Sequence, residues 1–437
     1  MFTTLKNAFK VKEIRNRILY TLAMLVVIRI GSQLPVPGVD RNYFANWFSQ
    51  QTGDAFNFFD AFTGGSFLNM SVLALNITPY ITSSIIMQLL TIAIPKLEEM
   101  QRDGEEGRKM IVSITRYVTV GLALIESSAM AIGFGRNGLL ENYNALNVIT
   151  VIAALTAGSA FLMWIGEQIT EKGIGNGISI VLTINIISRI PQDLMSLYEQ
   201  FISGKSIAKG VLAAVIILAV ILAMVILVII LNDGVRKIPV QYAKKMQGHK
   251  MVGGQSSNIP LRVNTAGVIP VIFASSIMEF PVIICSLFGI QGTGVWGHIL
   301  RGLSSSNWCN IAQPWYSIGL LVYIVLVIFF AYFYTSITFN PIEIAENMKK
   351  QGGFIPGIRP GKPTTEYLNR ILNYIIFIGA VGLTIVCVLP YIFNGLFGAS
   401  VNVGGTSLII IVSVILETIK QVESLMLVRN YKGFLND

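Results

Sequence analysis

Residues 211–231 form a run of 21 residues without a charged side chain, and almost all of them are aliphatic. A run of this length matches the roughly 20 residues that an α-helix needs to cross the hydrocarbon core of a bilayer. The composition extends this conclusion to the whole chain, because only 13% of its 437 residues are charged and 53% are hydrophobic. A soluble domain carries about 25% charged residues. The sequence therefore predicts a membrane protein.

Nine further segments are apolar enough to be membrane-spanning helices. The ten predicted spans are 18–34, 76–94, 116–133, 148–165, 177–190, 211–231, 266–288, 317–339, 374–393 and 407–426. The fifth is too short to cross a bilayer unless its helix extends into flanking residues. We therefore expect an all-α polytopic fold with ten transmembrane helices.

The Lys and Arg residues are distributed unevenly between the two sides of such a fold. If both termini and every second loop lie on one side, that side holds 25 of the 32 Lys and Arg residues, and the opposite loops hold six. Loops rich in Lys and Arg remain in the cytoplasm, so we expect both termini to be cytoplasmic. Arg29 lies within the first span, near its external end, where its side chain is expected to reach the headgroups.

Residues that carry common enzymatic and metal chemistry are sparse. The only histidines are His249 and His298, so an HExxH motif is absent. Cys285, Cys309 and Cys387 lie far apart and form neither a disulfide framework nor a CxxC site. Neither Gly-Lys dipeptide completes a Walker A loop. We expect no cofactor, no metal, no direct nucleotide binding and no enzymatic activity.

The stretch between Asp60 and Lys96 is longer than one span requires. It contains 35 uncharged residues, and its first third is small and polar (TGGSFLN). Irregular backbone cannot face lipid, so surplus residues at membrane depth must be buried in protein or line a cavity. The residues fit a short re-entrant helix at about 64–73, and they fit an external loop equally well.

A faint internal repeat suggests two related halves. PYITSSIIM at 79–87 and PVIFASSIM at 270–278 share a proline, an isoleucine two residues later and a Ser-Ser-Ile sequence. They occupy equivalent places in two sets of five spans, and an odd number of spans makes the two halves inverted. We predict an N-terminal half, 1–200, and a C-terminal half, 201–437, with the working path at their interface.

Two loops on the predicted cytoplasmic side combine positive charge with unusual composition. The loop at about 232–265 contains RKIPVQYAKKMQGHK, and the loop at about 340–373 contains GGFIPGIRPGKPTTEY. Polybasic stretches can simply hold anionic lipid headgroups. The second loop, however, is stiffened by proline and glycine around Arg359. Arginine favours bidentate contacts with carboxylate or phosphate, so this loop is suited to docking an acidic protein or an RNA.

Five stretches resemble the SecY family, the central subunits of the bacterial protein-conducting channel. They are QLPVPG at 33–38, GEQITEKGIGNGISI at 166–180, the IPVQYAKK and GFIPGIRPG loops, and GGTSLIIIVSVILE at 404–417. The resemblance runs from the first predicted span to the last. It implies a clamshell of two halves around an hourglass pore in the plasma (inner) membrane.

The same resemblance implies partners for the chain. Small SecE-like and SecG-like membrane subunits would bind outside the clamshell, and preprotein signal sequences and the lipid bilayer would contact it directly. A SecA-type ATPase or a ribosome would supply the driving force by docking on the two basic loops. The implied docking residues are Arg236, Lys237, Lys244, Lys245 and Arg359.

The resemblance also implies three sets of site residues. A plug at about 62–72 includes Phe62, Gly64, Gly65, Ser66, Phe67, Leu68, Asn69 and Met70. A pore ring comprises Ile81, Ile85, Leu182, Ile186, Ile272 and Ile410. A lateral gate between spans 2–3 and 7–8 includes Gln88, Glu126, Asn264 and Phe280, with hydrogen bonds among the first three holding it shut.

The spacing of the isoleucines in the second predicted span is compatible with a pore ring but does not require one. Ile77, Ile81 and Ile85 recur every four residues, which places them on one face of a helix. Such a stripe fits ordinary helix packing, and it also fits an apolar constriction that blocks ions by dewetting.

Two functions in different classes remain after this reasoning. The leading one is a channel that translocates unfolded preproteins and releases apolar segments sideways into lipid. The alternative is a secondary transporter for a small solute, since inverted halves and broken helices suit both. Transporters coupled to protons or sodium usually place ionisable residues at mid-membrane, whereas the predicted constriction is aliphatic.

Overall fold

The computed structural model describes most of the chain. The described residues are 9–40, 43–44, 60, 63–136, 138–140, 143–203, 207–242, 245–247, 250–252, 256–287, 294–309, 313–397 and 405–433. Phe62 and Lys244, which the sequence marks as site residues, lie outside them.

Thirteen α-helices and five short strands make up the described part. The helices of the first 201 residues are α1 (Lys12–Gly31), α2 (Thr78–Ala93), α3 (Pro95–Arg102), α4 (Glu105–Arg136), α5 (Ala145–Lys172) and α6 (Gly177–Phe201). The later helices are α7 (Ile207–Asp233), α8 (Ile269–Leu287), α9 (Val295–Leu303), α10 (Ile318–Thr338), α11 (Pro341–Lys350), α12 (Lys362–Phe397) and α13 (Gly405–Gly433). The strands are β1 (Val235–Tyr242), β2 (Lys245–Gln247), β3 (Lys250–Val252), β4 (Ser256–Arg262) and β5 (Gly353–Phe354).

Every predicted span coincides with one of these helices. Among the described residues, six helices are long and apolar enough to cross a membrane, and a seventh span exists if α2 and α3 count as one element bent by 106°. Ten spanning helices therefore remain a prediction. The fifth predicted span gains the length that it lacked, because α6 continues through Pro191 to Phe201.

Local signals explain where the central helices begin. Pro79 lies in the first turn of α2 and Pro270 in the first turn of α8, so the two copies of the repeat start their helices in the same way. Proline favours the first turn because its fixed φ suits the helix and its missing N–H needs no partner there. Asn176 caps α6, since its side-chain oxygen accepts hydrogen bonds from the N–H groups of Ile178 (3.1 Å) and Ser179 (3.4 Å).

The GIGNG loop between α5 and α6 contacts α1 of its own predicted half and α13 of the other half. The N–H of Gly175 donates to Gln421 Oε1 of α13 (2.5 Å), and the N–H of Ile174 donates to Thr21 Oγ1 of α1 (3.1 Å). Helix α13 also packs along both α6 and α7. Helices from the two halves are therefore in contact on this side of the molecule.

The two basic loops form one sheet, which the sequence did not predict. The sheet has the order β4-β1-β5 and is antiparallel, with Gln241 paired to Phe354 and Tyr242 to Gly353. Its buried face belongs to an apolar core that also includes residues of α11 and α12, namely Ile238, Val240, Leu261, Met348, Ile355, Leu368, Ile371 and Ile375.

Residues 63–77 form a series of hydrogen-bonded turns inside the protein. The predicted re-entrant helix at 64–73 is wrong, because Gly64, Gly65 and Met70 have positive φ values (67°, 82° and 43°) that interrupt a right-handed helix. The external-loop alternative is also wrong, since Phe67 and Met70 are only 2% and 0% exposed. We call residues 63–77 the buried segment.

The QLPVPG stretch holds one side of the buried segment. The N–H of Val36 donates to the carbonyl of Met70 (3.0 Å), and the N–H of Val72 donates to the carbonyl of Leu34 (2.9 Å). These bonds are the antiparallel bridge between Pro35 and Ser71. The turns of the segment therefore satisfy their polar backbone inside the protein, as irregular backbone at membrane depth requires.

Candidate functional site

An apolar cluster contains residues from both predicted halves, in the N-terminal parts of four helices. Five of the six predicted ring residues belong to it, and α2, α6, α8 and α13 supply them: Ile81, Leu182, Ile186, Ile272 and Ile410. The sixth, Ile85, lies one turn beyond Ile81 and is buried outside this cluster. The structure thus brings together side chains from both halves that the sequence could only place on separate helices.

Burial differs among the members of this cluster. Ile186 and Ile410 are each 1% exposed, whereas Ile81 and Ile272 are half-buried. A half-buried aliphatic side chain that belongs to a cluster has part of its surface facing open space. Ile81 and Ile272 are therefore the members best placed to line a passage between the halves.

The buried segment ends within the same cluster. Leu73 and Ile77 are members of the cluster and are 4% and 0% exposed. The segment and the ring positions are consequently one packed unit, so movement of the segment would change the packing around the ring.

Helix α6 approaches the backbone of the buried segment very closely. A Cβ atom added to Gly64 would lie 2.6 Å from the carbonyl oxygen of Asn185. Ser188 Oγ donates to the carbonyl of Gly64 (3.3 Å), and Asn185 Nδ2 donates to Asn76 Oδ1 (2.9 Å). Glycine is required at position 64, because any larger residue would push the segment away from α6.

Arg29 is placed differently from the sequence expectation. Its Nη1 donates to the carbonyl of Gly64 at 3.5 Å, and its side chain is half-buried. It points towards the buried segment because the segment folds back against the end of α1. This contact with the buried segment was not predicted from the sequence, which placed Arg29 only near the headgroups.

Two helix pairs face each other where the lateral gate is expected. Helix α2 packs along α4, and Ser83 Oγ donates to the carbonyl of Thr115 (2.8 Å). Helix α8 packs along α10, and the rings of Phe273 and Phe330 stack with centroids 5.2 Å apart. Between the pairs, the main contact is a short one between α4 and α8. The helices within each pair pack closely along each other, whereas the two pairs make few contacts with one another.

The predicted polar gate residues do not bond to one another. Within the described residues, no hydrogen bond joins Gln88, Glu126 and Asn264. Asn264 Nδ2 instead donates to Asn232 Oδ1 (2.8 Å), because Asn264 precedes α8 and lies beside the end of α7. Gln88 is exposed on α2, and the side chain of Phe280 lies outside the described part.

Three predicted docking residues lie on the surface of the two joined loops. Arg236 and Lys237 are exposed on β1, and Arg359 is exposed in the loop between β5 and α12. The carbonyl of Arg359 accepts a hydrogen bond from Thr364 Oγ1 (2.8 Å), which fixes the loop to the start of α12. Lys245 lies in β2, and its side chain is outside the described part.

The described residues contain no group of three His, Cys, Asp or Glu side chains arranged as metal ligands. Cys285, Cys309 and Cys387 are unpaired thiols. The geometry thus presents an apolar cluster with residues from both predicted halves, a buried segment packed against it and a basic surface on two joined loops.

Solved structures with this fold are protein-conducting channels. A structure described as "The structure of a protein conducting channel" matches with a TM-score of 0.60 and 18% identity, over 94% of this chain and 92% of that one. Sec61 in the canine ribosome-channel complex from the endoplasmic reticulum matches with a TM-score of 0.60 and 17% identity. It covers the same shares of the two chains. The fold is that of this class of channel.

The chain belongs to the SecY family. The family model for SecY matches residues 71–419. Protein translocase subunit SecY of Halalkalibacterium halodurans is 43% identical over 442 residues, with 100% of each chain covered. Protein translocase subunit SecY of Bacillus subtilis is 41% identical over 445 residues, also with 100% of each chain covered. The family resemblance noted in the sequence is confirmed, and nothing in these matches supports the solute-transporter alternative.

Sequence reasoning missed four polar residues that hold the buried segment. Asn76 and Asn185 bond across the segment and α6, and Asp60 forms an ion pair with Arg189. Arg189 and Asn185 lie four residues apart on α6, which was a detectable signal of a shared polar face. Their partners could not be found, because they lie more than a hundred residues away in the chain.

Proposed function

We propose that this chain is the central subunit of a channel that translocates unfolded preproteins across the plasma membrane and releases apolar segments sideways into lipid. The observation that best supports this proposal is the aliphatic cluster to which both predicted halves contribute residues, namely Ile81, Leu182, Ile186, Ile272 and Ile410. Side chains of this kind hold no water in a narrow opening and offer no fixed hydrogen bond to a passing chain. The proposal makes the chain a passive conduit and not an enzyme.

We propose that the buried segment is the plug of this channel. Its burial among α1, α5 and α6 and its membership in the cluster support a resting seal. A solved SecY structure with a TM-score of 0.61 is described as having a plug domain that stabilises the closed state of the translocation channel. A signal sequence that separates the halves would release the segment and widen the ring.

The lateral gate is assigned to the seam between the α2–α4 pair and the α8–α10 pair. The thin contact between α4 and α8 supports this assignment, because few interactions must break for the pairs to separate. Gln88 on the exposed face of α2 and Glu126 on α4 are the polar residues proposed to influence this opening. Phe280, on α8, keeps its proposed place at the external end of the gate.

The basic surface on the two joined loops is the proposed docking site for the driving partner. A SecA-type ATPase or a ribosome would contact Arg236, Lys237 and Arg359, with Lys244 and Lys245 nearby in the chain. The charge distribution supports cytoplasmic termini and a cytoplasmic position for this surface. Small SecE-like and SecG-like subunits would bind the outside of the ten-helix clamshell.

Reconstitution tests the proposed function directly. The chain is purified with its small membrane subunits, placed in lipid vesicles, and supplied with a SecA-type ATPase, ATP and a radiolabelled preprotein. Protection of the preprotein from external protease, dependent on ATP and on its signal sequence, is the expected result. Vesicles that bind the ATPase and preprotein but never protect the preprotein would contradict the proposal.

A further inference from the structure

A buried ion pair joins the residue that closely precedes the buried segment to α6. The guanidinium of Arg189 pairs with the carboxylate of Asp60, and their side chains are 8% and 0% exposed. A buried ion pair adds little net stability, because both charges lose their hydration, whereas a buried charge without its partner is strongly unfavourable. Such a pair is therefore better suited to opposing the separation of Asp60 from α6 than to stabilising the fold.

Asp60 is also bonded to the turns of the buried segment. Its Oδ1 accepts a hydrogen bond from the N–H of Leu68 (2.8 Å), and its carbonyl accepts one from Thr63 Oγ1 (3.1 Å). One carboxylate oxygen thus bonds to the segment, while the other pairs with Arg189. The segment cannot move away from α6 without separating the ion pair or breaking the bonds that Asp60 makes to the segment.

The ion pair lies beside the apolar cluster. Arg189 follows Ile186 by three residues on α6, and side chains at this spacing are neighbours. Ile186 belongs to the cluster and is 1% exposed. A Cβ atom added to Gly65 would lie 4.0 Å from Arg189 Cδ, so Arg189 also lies against the backbone of the segment. Opposite charges attract each other far more strongly in such an interior than in water, so the ion pair is strongest while this region is closed.

We propose that Asp60 and Arg189 form a latch that holds the buried segment on α6, and that the strength of this latch sets how apolar a signal sequence must be to open the channel. The inference rests on the proposed function, and it assigns a specificity-determining role to two residues outside the pore ring. A weakly apolar signal sequence gains too little on binding to offset separation of the ion pair. A strongly apolar one gains enough.

Release of the segment is measured without a motor, on the channel reconstituted with its small membrane subunits. Ser66, which is 2% exposed, is replaced by cysteine in a variant whose native Cys285, Cys309 and Cys387 are alanine. A membrane-impermeant thiol reagent is applied to the external face, and the rate of labelling reports how often the segment leaves its buried position.

Both members of the latch should affect this rate in the same way. Asp60→Asn and Arg189→Gln are each expected to accelerate labelling several-fold. The combination should be no faster than the faster single variant, because either substitution alone already removes the ion pair. Asp60→Glu keeps the charge and should label more slowly than Asp60→Asn.

Asp233→Asn is the matched control for Asp60→Asn. It also removes the acidic partner of an ion pair, but the side chains of Asp233 and Lys420 are 58% and 48% exposed and lie away from the segment, on α7 and α13. Its labelling rate should equal that of the unmodified protein. Unchanged labelling in Asp60→Asn and Arg189→Gln, or effects that simply multiply in the combination, overturn the latch.

The threshold is measured with preproteins whose signal sequences form a series of decreasing hydrophobicity. Asp60→Asn and Arg189→Gln should translocate the weakest signals several-fold better than the unmodified protein, and the strongest signals equally well. No gain with the weakest signals overturns the proposal. A loss that is equal across the series, with a lower melting temperature in detergent, also overturns it, because the ion pair would then only stabilise the fold. Loss of translocation in the unmodified protein overturns the proposed function instead, and the labelling rates still decide whether the ion pair holds the segment.

Discussion

Gln241 at the end of β1 pairs with Phe354 of β5, so two strands separated in the chain by four α-helices belong to one sheet. The sheet shares an apolar core with α11 and α12. Arg236, Lys237 and Arg359 are therefore presented by one rigid body and not by independent flexible loops. A partner that docks on this surface can push against the helices below it.

Arg359→Glu should uncouple the driving partner while leaving the channel intact. The substitution replaces attraction to an acidic or phosphate group with repulsion, which costs about 2 kcal/mol or more and weakens binding roughly 30-fold. Binding of a SecA-type ATPase to reconstituted vesicles, and its preprotein-stimulated ATP hydrolysis, measure this effect.

Lys349→Glu provides the matched control for Arg359→Glu. Lys349 is exposed at the end of α11, before the Gly/Pro-rich loop, and carries the same charge as Arg359. It should reduce partner binding much less than Arg359→Glu. Equal losses for the two variants would mean that the partner senses total charge and not the stiff loop around Arg359.

Gly64→Ala should weaken the packing of the buried segment against α6, and Gly65→Ala should weaken it much less. Both glycines have positive φ values, so both alanines carry a backbone strain of about 1 kcal/mol. Only at Gly64 does the new Cβ meet backbone, 2.6 Å from the carbonyl oxygen of Asn185; at Gly65 the nearest atom is 3.9 Å away. The two alanine variants are compared by their resting ion conductance in planar bilayers and by their translocation of preproteins with defective signal sequences.

The difference between the two glycine variants isolates the close approach to α6. Higher conductance and broader acceptance of defective signals in Gly64→Ala alone are expected. Indistinguishable variants would indicate that only backbone strain matters and that the contact with Asn185 does not hold the segment.

Gln88→Leu and Asn264→Leu should separate gate energetics from stability. Asn264 bonds to Asn232 at 2.8 Å, and a typical intramolecular hydrogen bond contributes about 0.5–1.5 kcal/mol to stability. Asn264→Leu is therefore expected to lower the melting temperature in detergent. Gln88 is exposed on α2, so Gln88→Leu should leave the melting temperature unchanged and shift the hydrophobicity at which test segments enter the bilayer.

The insertion threshold and the melting temperature of these two variants can each contradict the account. Unchanged insertion thresholds in Gln88→Leu, across a graded series of apolar segments, would remove Gln88 from the gate. A melting temperature that does not fall in Asn264→Leu would mean that the bond to Asn232 contributes little.

Hydropathy located the helices but not their full extents. The ninth predicted span starts at residue 374, yet α12 begins at Lys362, because its first three turns pack against the sheet and have mixed polarity. Apolar runs identify the part of a helix that lies in lipid. The extension is stabilised by Leu368 and Ile371 in the core beneath the sheet, and that core exists only in the folded chain.

Contacts between distant residues escaped prediction for a physical reason. β5 is only two residues long, so no periodicity could reveal its pairing with Gln241 and Tyr242. The length of the uncharged stretch suggested a re-entrant helix or an external loop for the buried segment. It could not reveal that Gly64 adopts a left-handed conformation directly against the backbone of α6. Five of the six predicted ring residues do share one apolar cluster, as four-residue spacing and family resemblance suggested, and their role as a pore ring stays a prediction.

The central claim is that Ile81 and Ile272 line an apolar constriction between the halves. Replacing both with Asn should let water persist there and ions follow, because amide side chains support a wet opening. Their half-buried positions predict little change in stability. Ile165→Asn is the matched control, since Ile165 belongs to the same cluster on α5 but is 0% exposed. Burying an amide there costs about 1–3 kcal/mol without opening a path.

Planar-bilayer conductance, measured with detergent melting temperature on the same preparation, tests this claim most directly. The account predicts a resting ion leak and a nearly unchanged melting temperature for Ile81→Asn with Ile272→Asn, and a lower melting temperature without leak for Ile165→Asn. A double variant that loses stability and conducts no ions would contradict the account, because Ile81 and Ile272 would then be packing residues and not the lining of a pore.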